Sequence, residues 1–339
     1  MPISLAADLL GLSVAVFITS ALAIVPLAAL IGRATEQAAI RIGPRLGGLV
    51  NATLGNLTEL IVAVLLVAAG NFAVVKASLI GSIVGNLLLV LGLSFAVGGV
   101  RHKQMRFNAV SAGVQSVSLA VAVTGLVIPA LLVLTTPKVG NQEREVVSAV
   151  VALVLIVLYG SALAFTQVTH AHLFQAEVEE QPARWSLRWA LGVLTVSALL
   201  VGLESELLVS SLEPALHALH MPELFVGLIV IPIIGNAAEH SSAVFFAVKN
   251  RLDATMEIAV GSSVQVAMFV APVVVFASIL IGNPMDFVFN AFEVGIVFMG
   301  TLIAGLISQD GRSNWLEGAQ LLGAYLIIGA GAFFVGSLQ

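Results

Sequence analysis

The chain has 339 residues, of which 59% are hydrophobic and 10% charged, with a mean hydropathy of +1.07; ordinary soluble proteins carry roughly 25% charged residues, so a fold solvated mainly by water is excluded. A net charge of −5 with scattered basic residues excludes a nucleic-acid partner. The absence of cysteine removes disulfides, thiolate metal sites and cysteine nucleophiles, so any metal must be held by oxygen or imidazole.

Apolar windows follow one another along the chain at roughly 5–32, 46–70, 73–100, 109–135, 146–168, 187–209, 222–248, 255–280, 286–308 and 315–337. Each is long enough to cross a bilayer as a helix. Stretches of about ten alternating residues, which a transmembrane barrel needs, do not occur, so the expected fold is all-α, a polytopic helical bundle in a lipid bilayer. The first window is too long for a signal-peptide core and has no basic leader, and it reads as a retained span. The one long polar connection is 169–186, with His170, His172, Glu177, Glu179, Glu180, Pro182 and Arg184. It divides the chain into a first five-helix repeat at 1–168, a cytoplasmic linker at 169–186 and a second five-helix repeat at 187–339.

Of the fourteen basic residues, eleven fall in connections that share one face: Arg33, Arg41, Arg45, Arg101, Lys103, Arg106, Arg184, Arg188, Lys249, Arg251 and Arg312. Lys76, Lys138 and Arg144 fall on the other. The positive-inside rule then makes the rich face cytoplasmic, so both termini are expected outside the cytoplasm of a prokaryotic inner membrane.

A shift of 180 residues superposes Gly55-Asn56-Leu57-Thr58-Glu59 on Gly235-Asn236-Ala237-Ala238-Glu239, and also pairs Gly47 with Gly227 and Gly81-Ser82 with Gly261-Ser262. Five spans is an odd number, so the second copy enters the membrane in the opposite direction. Inverted repeats of this kind carry substrates near the bilayer midplane and alternate access by moving one set of helices against the other.

Glu59 and Glu239 lie deep in their windows, where an isolated charge costs about 2.5–3.5 kcal/mol on insertion scales, so they are expected to face each other or water. Asn56 and Asn236 each precede their Glu by three residues and share its helical face. Two carboxylates and two amides supply about half of the 6–8 oxygens that Ca²⁺ takes. Metal binding is therefore expected at Glu59 and Glu239. Further oxygen is expected from Ser82, Asn86, Ser262, Ser263 and Gln265, and from the carbonyl of Leu228, which Pro232 deprives of its helical donor. Carboxyls that lose their cation in an apolar, mutually repelling setting favour the uncharged form and take up protons, which couples the two ions. His240, beside Glu239, reads either as a proton relay or as an interior hydrogen-bonded histidine. Glu36 and Glu213 end the first helix of each half, and read as cation-attracting entrance groups or as solvated helix ends.

With these motifs the chain resembles the calcium/proton exchanger (CAX) family of the Ca²⁺/cation antiporter superfamily over nearly its whole length. The carrying stretches are Gly32-Arg33-Ala34-Thr35-Glu36, Gly47 to Thr53, Gly55 to Ile61, Gly81 to Asn86, Gly235 to His240 and Gly261 to Gln265. The resemblance implies Ca²⁺ export in exchange for protons, Glu59 and Glu239 as the carriers, Asn56, Asn86, Asn236 and Gln265 near them, and windows 5–32 and 187–209 as moving gates. The linker matches the family's acidic helix but has only three Glu, and many family members carry an additional leading helix. The expected partners are Ca²⁺, H⁺ and lipid, with no resident cofactor. Rival readings are a Na⁺-driven exchanger of the same architecture and a passive cation channel, although two midplane carboxylates bind too tightly for fast conduction. An intramembrane hydrolase finds no H-E-x-x-H or G-x-S-x-G to work with, so an enzyme is not expected.

Overall fold

The computed structural model describes residues 1–136, 138–171 and 183–338, with residues 44–46 through their backbone only. Linker positions His172, Glu177, Glu179, Glu180 and Pro182 lie outside the described residues. The helices, in chain order, are α1 (Pro2–Leu9), α2 (Ser13–Ile42), α3 (Pro44–Leu54), α4 (Leu57–Ala68), α5 (Phe72–His102), α6 (Ala109–Thr135), α7 (Asn141–Thr169), α8 (Leu187–Leu219), α9 (Glu223–Gly235), α10 (Ala237–Val248), α11 (Leu252–Ile281), α12 (Ala291–Ile307) and α13 (Trp315–Ser337). A two-residue antiparallel pair, β1 (Met105–Arg106) with β2 (Arg312–Ser313), is the exception to an all-helical fold among the described residues.

Eight of these helices are long and apolar enough to cross a bilayer, counting α3 and α4 as one span, and the bent pair α9–α10 makes nine. The expected tenth, window 286–308, becomes α12 with 17 residues, about 25 Å of helix. Its start is fixed by a capping box, in which Asn290 Oδ1 accepts from the Glu293 amide at 2.9 Å and Glu293 Oε2 accepts from the Asn290 amide at 2.8 Å. Other spans outrun the bilayer, α2 and α8 among them. With 30 and 33 residues, α2 and α8 reach about 45 and 50 Å, beyond the roughly 30 Å of hydrocarbon. Glu36 and Glu213 therefore sit inside these helices, on exposed surface short of their ends.

The backbone clusters into two compact units: the described parts of Met1–Ser78, Val178–Ala238 and Phe333–Gln339, and those of Leu79–Glu177 and Glu239–Ala332. In the first unit α2 packs along α8, around buried Ile31, Ala34, Leu194 and Val201. The strand of chain entering α8 is held on α2: Arg41 donates to the carbonyls of Trp185 and Ala183 at 2.8 and 2.9 Å, and Gln37 Oε1 accepts from the amides of Arg184 and Trp185. In the second unit α5 and α13 touch backbone to backbone. A Cβ on Gly318 would collide with the backbone of Ala96, and one on Gly99 with Trp315. Small residues that admit such an approach are how helices gain packing in lipid, where no hydrophobic drive separates helix from solvent.

The 180-residue repeat is visible in conformation as well as in sequence. The chain leaves helical geometry at Asn56 (φ −93°, ψ 23°) and again at Asn236 (φ −102°, ψ 8°). Wider π-helical turns occupy Gly85–Val90 and, at the same shift, Val266–Val270.

Candidate cation site

Each signature carboxylate sits in the first turn of a helix that starts midway along an apolar span. Asn56 is the N-terminal cap of α4 and Asn236 holds the same place before α10, so Glu59 and Glu239 are both the third residue of a half-helix. The expectation that each Asn shares a helical face with its Glu is thereby sharpened, because the spacing is that of a helix start. A break of this kind brings the last carbonyls of one segment and the first amides of the next to one place, a standard way to make polar ligands at membrane depth. The α9–α10 break bends the span by 64°. The Asn236 side chain stabilises it by donating to the Pro232 carbonyl at 3.1 Å, alongside the Asn236 backbone amide at 3.0 Å.

In the first unit Asn56 and Asn236 are both 1% exposed. The Glu59 side chain lies over the glycine that precedes the second break: a Cβ on Gly235 would come 3.7 Å from Glu59 Cγ. Leu228 is fully buried in the π-helical turn Val226–Val230, one turn ahead of Pro232.

In the second unit Glu239 Oε2 accepts a hydrogen bond from Ser262 Oγ at 2.8 Å. His240 Nε2 meets Asn86 Oδ1 at 3.2 Å, so the histidine next to one carboxylate reaches the π-helical turn of α5. Ser82 is buried one turn before Asn86. Ser262, Ser263 and Gln265 occupy a single α-helical turn of α11, between the π-helical turns Glu257–Gly261 and Val266–Val270. π-Helical turns recur at functional sites because they rotate the side chains that follow and leave the carbonyl ladder incomplete. Ser263 turns its hydroxyl to the carbonyls of Ala259 and Ile83, at 2.9 and 3.3 Å.

Two further acids inside the apolar windows, the first buried and the second exposed, were not singled out by the sequence. Glu204, midway along α8, is fully buried; its Oε1 accepts from Ser4 Oγ at 2.9 Å and lies 3.0 Å from the Met1 nitrogen, while Oε2 has no partner among the described residues. Glu257 in α11 accepts from Gln115 Nε2 in α6. Position inside windows 187–209 and 255–280 was the available signal, deep for Glu204 and near the edge for Glu257. The repeat obscured it, because the counterparts at the 180-residue shift are Ile24 and Ala77.

The sodium/calcium exchanger protein family matches residues 12–168 and 189–334. The chain is 45% identical to a Ca²⁺/H⁺ antiporter of Aphanothece halophytica, over 95% of this chain and 90% of that protein. It is 42% identical to the Ca²⁺/H⁺ antiporter ChaA of Bacillus subtilis (strain 168), over 95% and 93%. The solved structure of YfkE superposes with a TM-score of 0.86 at 39% identity, covering 98% of this chain and 97% of that one. On the broken helices, the repeated motif and these matches together, the chain belongs to the sodium/calcium exchanger protein family, within its calcium/proton exchanger (CAX) branch.

Proposed function

We propose that this protein is a Ca²⁺/H⁺ antiporter that exports Ca²⁺ from the cytoplasm by alternating access, with Glu59 and Glu239 as the groups that carry either the metal or protons. The observation that carries the reading is the duplicated helix break, which sets one carboxylate in the first turn of a half-helix, with one amide side chain just ahead of it, in each repeat. A hard cation is matched by exactly such oxygens, and a protonated carboxyl cannot ligate it, so the two ions compete for the same atoms. If helices reorient only when both carboxyls are neutralised, exchange follows without leak. Asn56, Asn236, Asn86, Ser262 and Gln265 supply or orient further oxygen, and Ca²⁺ is cargo rather than a resident cofactor. The antiporter names of the relatives support H⁺ as the driving ion.

The test is ⁴⁵Ca uptake into liposomes containing the full chain, with pH and Na⁺ gradients imposed separately. An outward proton gradient is expected to drive uptake that Glu59→Gln and Glu239→Gln each reduce to the level of protein-free liposomes. Raising the proton concentration on the Ca²⁺ side is expected to weaken apparent affinity, by up to about a hundredfold per pH unit where two protons compete for one metal. Uptake that survives both substitutions removes the carboxylates from the mechanism, and uptake driven by Na⁺ alone replaces the proton.

A further inference from the structure

In the second unit α6 and α12 diverge to leave an apolar groove of about 730 Å³, lined among others by Ala109, Gly113, Ala120, Phe298, Leu302 and Gly305. The α6 wall runs from Ala109 to Leu131 and the α12 wall from Phe298 to Leu306, roughly 33 and 12 Å by helical rise, so the groove is long enough to take an acyl chain of one leaflet, half of about 30 Å of hydrocarbon. One end of the groove, at Ala109, Ser308 and Gln309, adjoins the β1–β2 pair: the Phe107 amide donates to the Gly311 carbonyl at 3.0 Å, and a Cβ on Gly311 would touch Ala109. In that pair Arg106 stands directly opposite Arg312, both exposed. Directly opposed like charges weaken a strand pair. The Asp310 carboxylate accepts from the Arg312 backbone amide at 3.0 Å. Arg101 and Lys103 are exposed just ahead of β1, and among the described residues none of the four cations has an ion-pair partner.

We propose that this groove binds one acyl chain of an anionic phospholipid whose phosphate is held by Arg106 and Arg312. A phosphate between the two guanidiniums converts their repulsion into paired charge-assisted hydrogen bonds. Basic residues at a membrane surface recruit anionic lipid by the same attraction. A second copy of the chain, seated by two-fold symmetry, would instead set this cationic end against itself.

Native mass spectrometry of the full chain in detergent tests the proposal, with dioleoylphosphatidylglycerol, dioleoylphosphatidylcholine and inorganic phosphate as separate probes. The glycerol lipid, whose phosphate has no tethered counter-charge, is expected to bind about thirtyfold more tightly than the choline lipid, and Arg106→Gln with Arg312→Gln to abolish that preference by weakening the glycerol lipid far more than the choline lipid. A Cβ at Gly113 or Gly305 meets no atom within 4 Å, so Gly305→Leu fills the groove without straining the fold and is expected to weaken both lipids alike. Equal binding of the two lipids by the parent, a preference that outlives the double substitution, or lipid binding indifferent to Gly305→Leu overturns the site. Inorganic phosphate bound as well as the lipid, or release of lipid coupled to dimer formation, overturns it in favour of a free anion or a second copy.

Discussion

Ser262 reaches Glu239 from a different helix, 23 residues along the chain, and this bond gives the residue scale its sharpest test. A hydrogen bond to a carboxylate is worth about 1.5–3 kcal/mol, and part of that is recovered when water substitutes. Ser262→Ala is expected to raise the Ca²⁺ concentration for half-maximal uptake about fivefold, with Ser262→Thr restoring it. An unchanged value for the alanine variant would remove Ser262 from carboxylate positioning. The two candidate acids stand out in the sequence because Gly-Asn-x-x-Glu recurs at a fixed shift in a chain otherwise poor in charge. The N-terminal positions of Asn56 and Asn236 were equally present, since Asn-x-x-Glu also opens α12 at Asn290. Uninterrupted hydropathy across 46–70 and 222–248 hid them, because both halves of a broken span are apolar. Glu204 was hidden by the opposite cause: it is deep in a span but has no repeated partner.

At the scale of elements, glycines divide into those that admit a neighbour and those that face open space. On α13 both kinds occur five residues apart. Gly318 meets the backbone of Ala96, whereas a Cβ at Gly323 would touch nothing within 4 Å. Forcing extra methylenes into packed helices costs about 1–3 kcal/mol, and more where the obstacle is backbone. Gly318→Leu is therefore expected to lower the melting temperature of the detergent-purified protein clearly, and Gly323→Leu to leave it near the parent value. Equal melting of the two variants would mean that α5 and α13 do not depend on this approach. Helix ends were the least legible part of the elements: α2 and α8 run about ten residues past their apolar windows because helix continues through Arg33 to Arg41 and through Glu206 to Glu213, residues that a polar headgroup region accommodates without unwinding.

For the whole molecule, orientation rests on the distribution of charge, and the absence of cysteine makes it directly testable. We propose that connections rich in Lys and Arg face the cytoplasm. Lys249→Cys is then expected to be protected from an impermeant maleimide in intact cells, and Lys138→Cys to be labelled. The reverse pattern would invert the protein in the membrane and with it the direction of Ca²⁺ movement.

Chain order and local composition determined the helical class, most of the apolar spans, the internal duplication and the choice of two candidate acids, because hydropathy and motif spacing act within a window or at a constant shift. Only the tertiary structure decided which polar groups meet across greater separations: Ser4 with Glu204, 200 residues apart, His240 with Asn86, 154 apart, and the two arginines facing each other at β1 and β2. Such meetings depend on how each helix is rotated about its axis and where its turns widen or break. In an almost uniformly apolar chain hydropathy does not encode rotation; packing of small residues and satisfaction of buried polar groups set it instead.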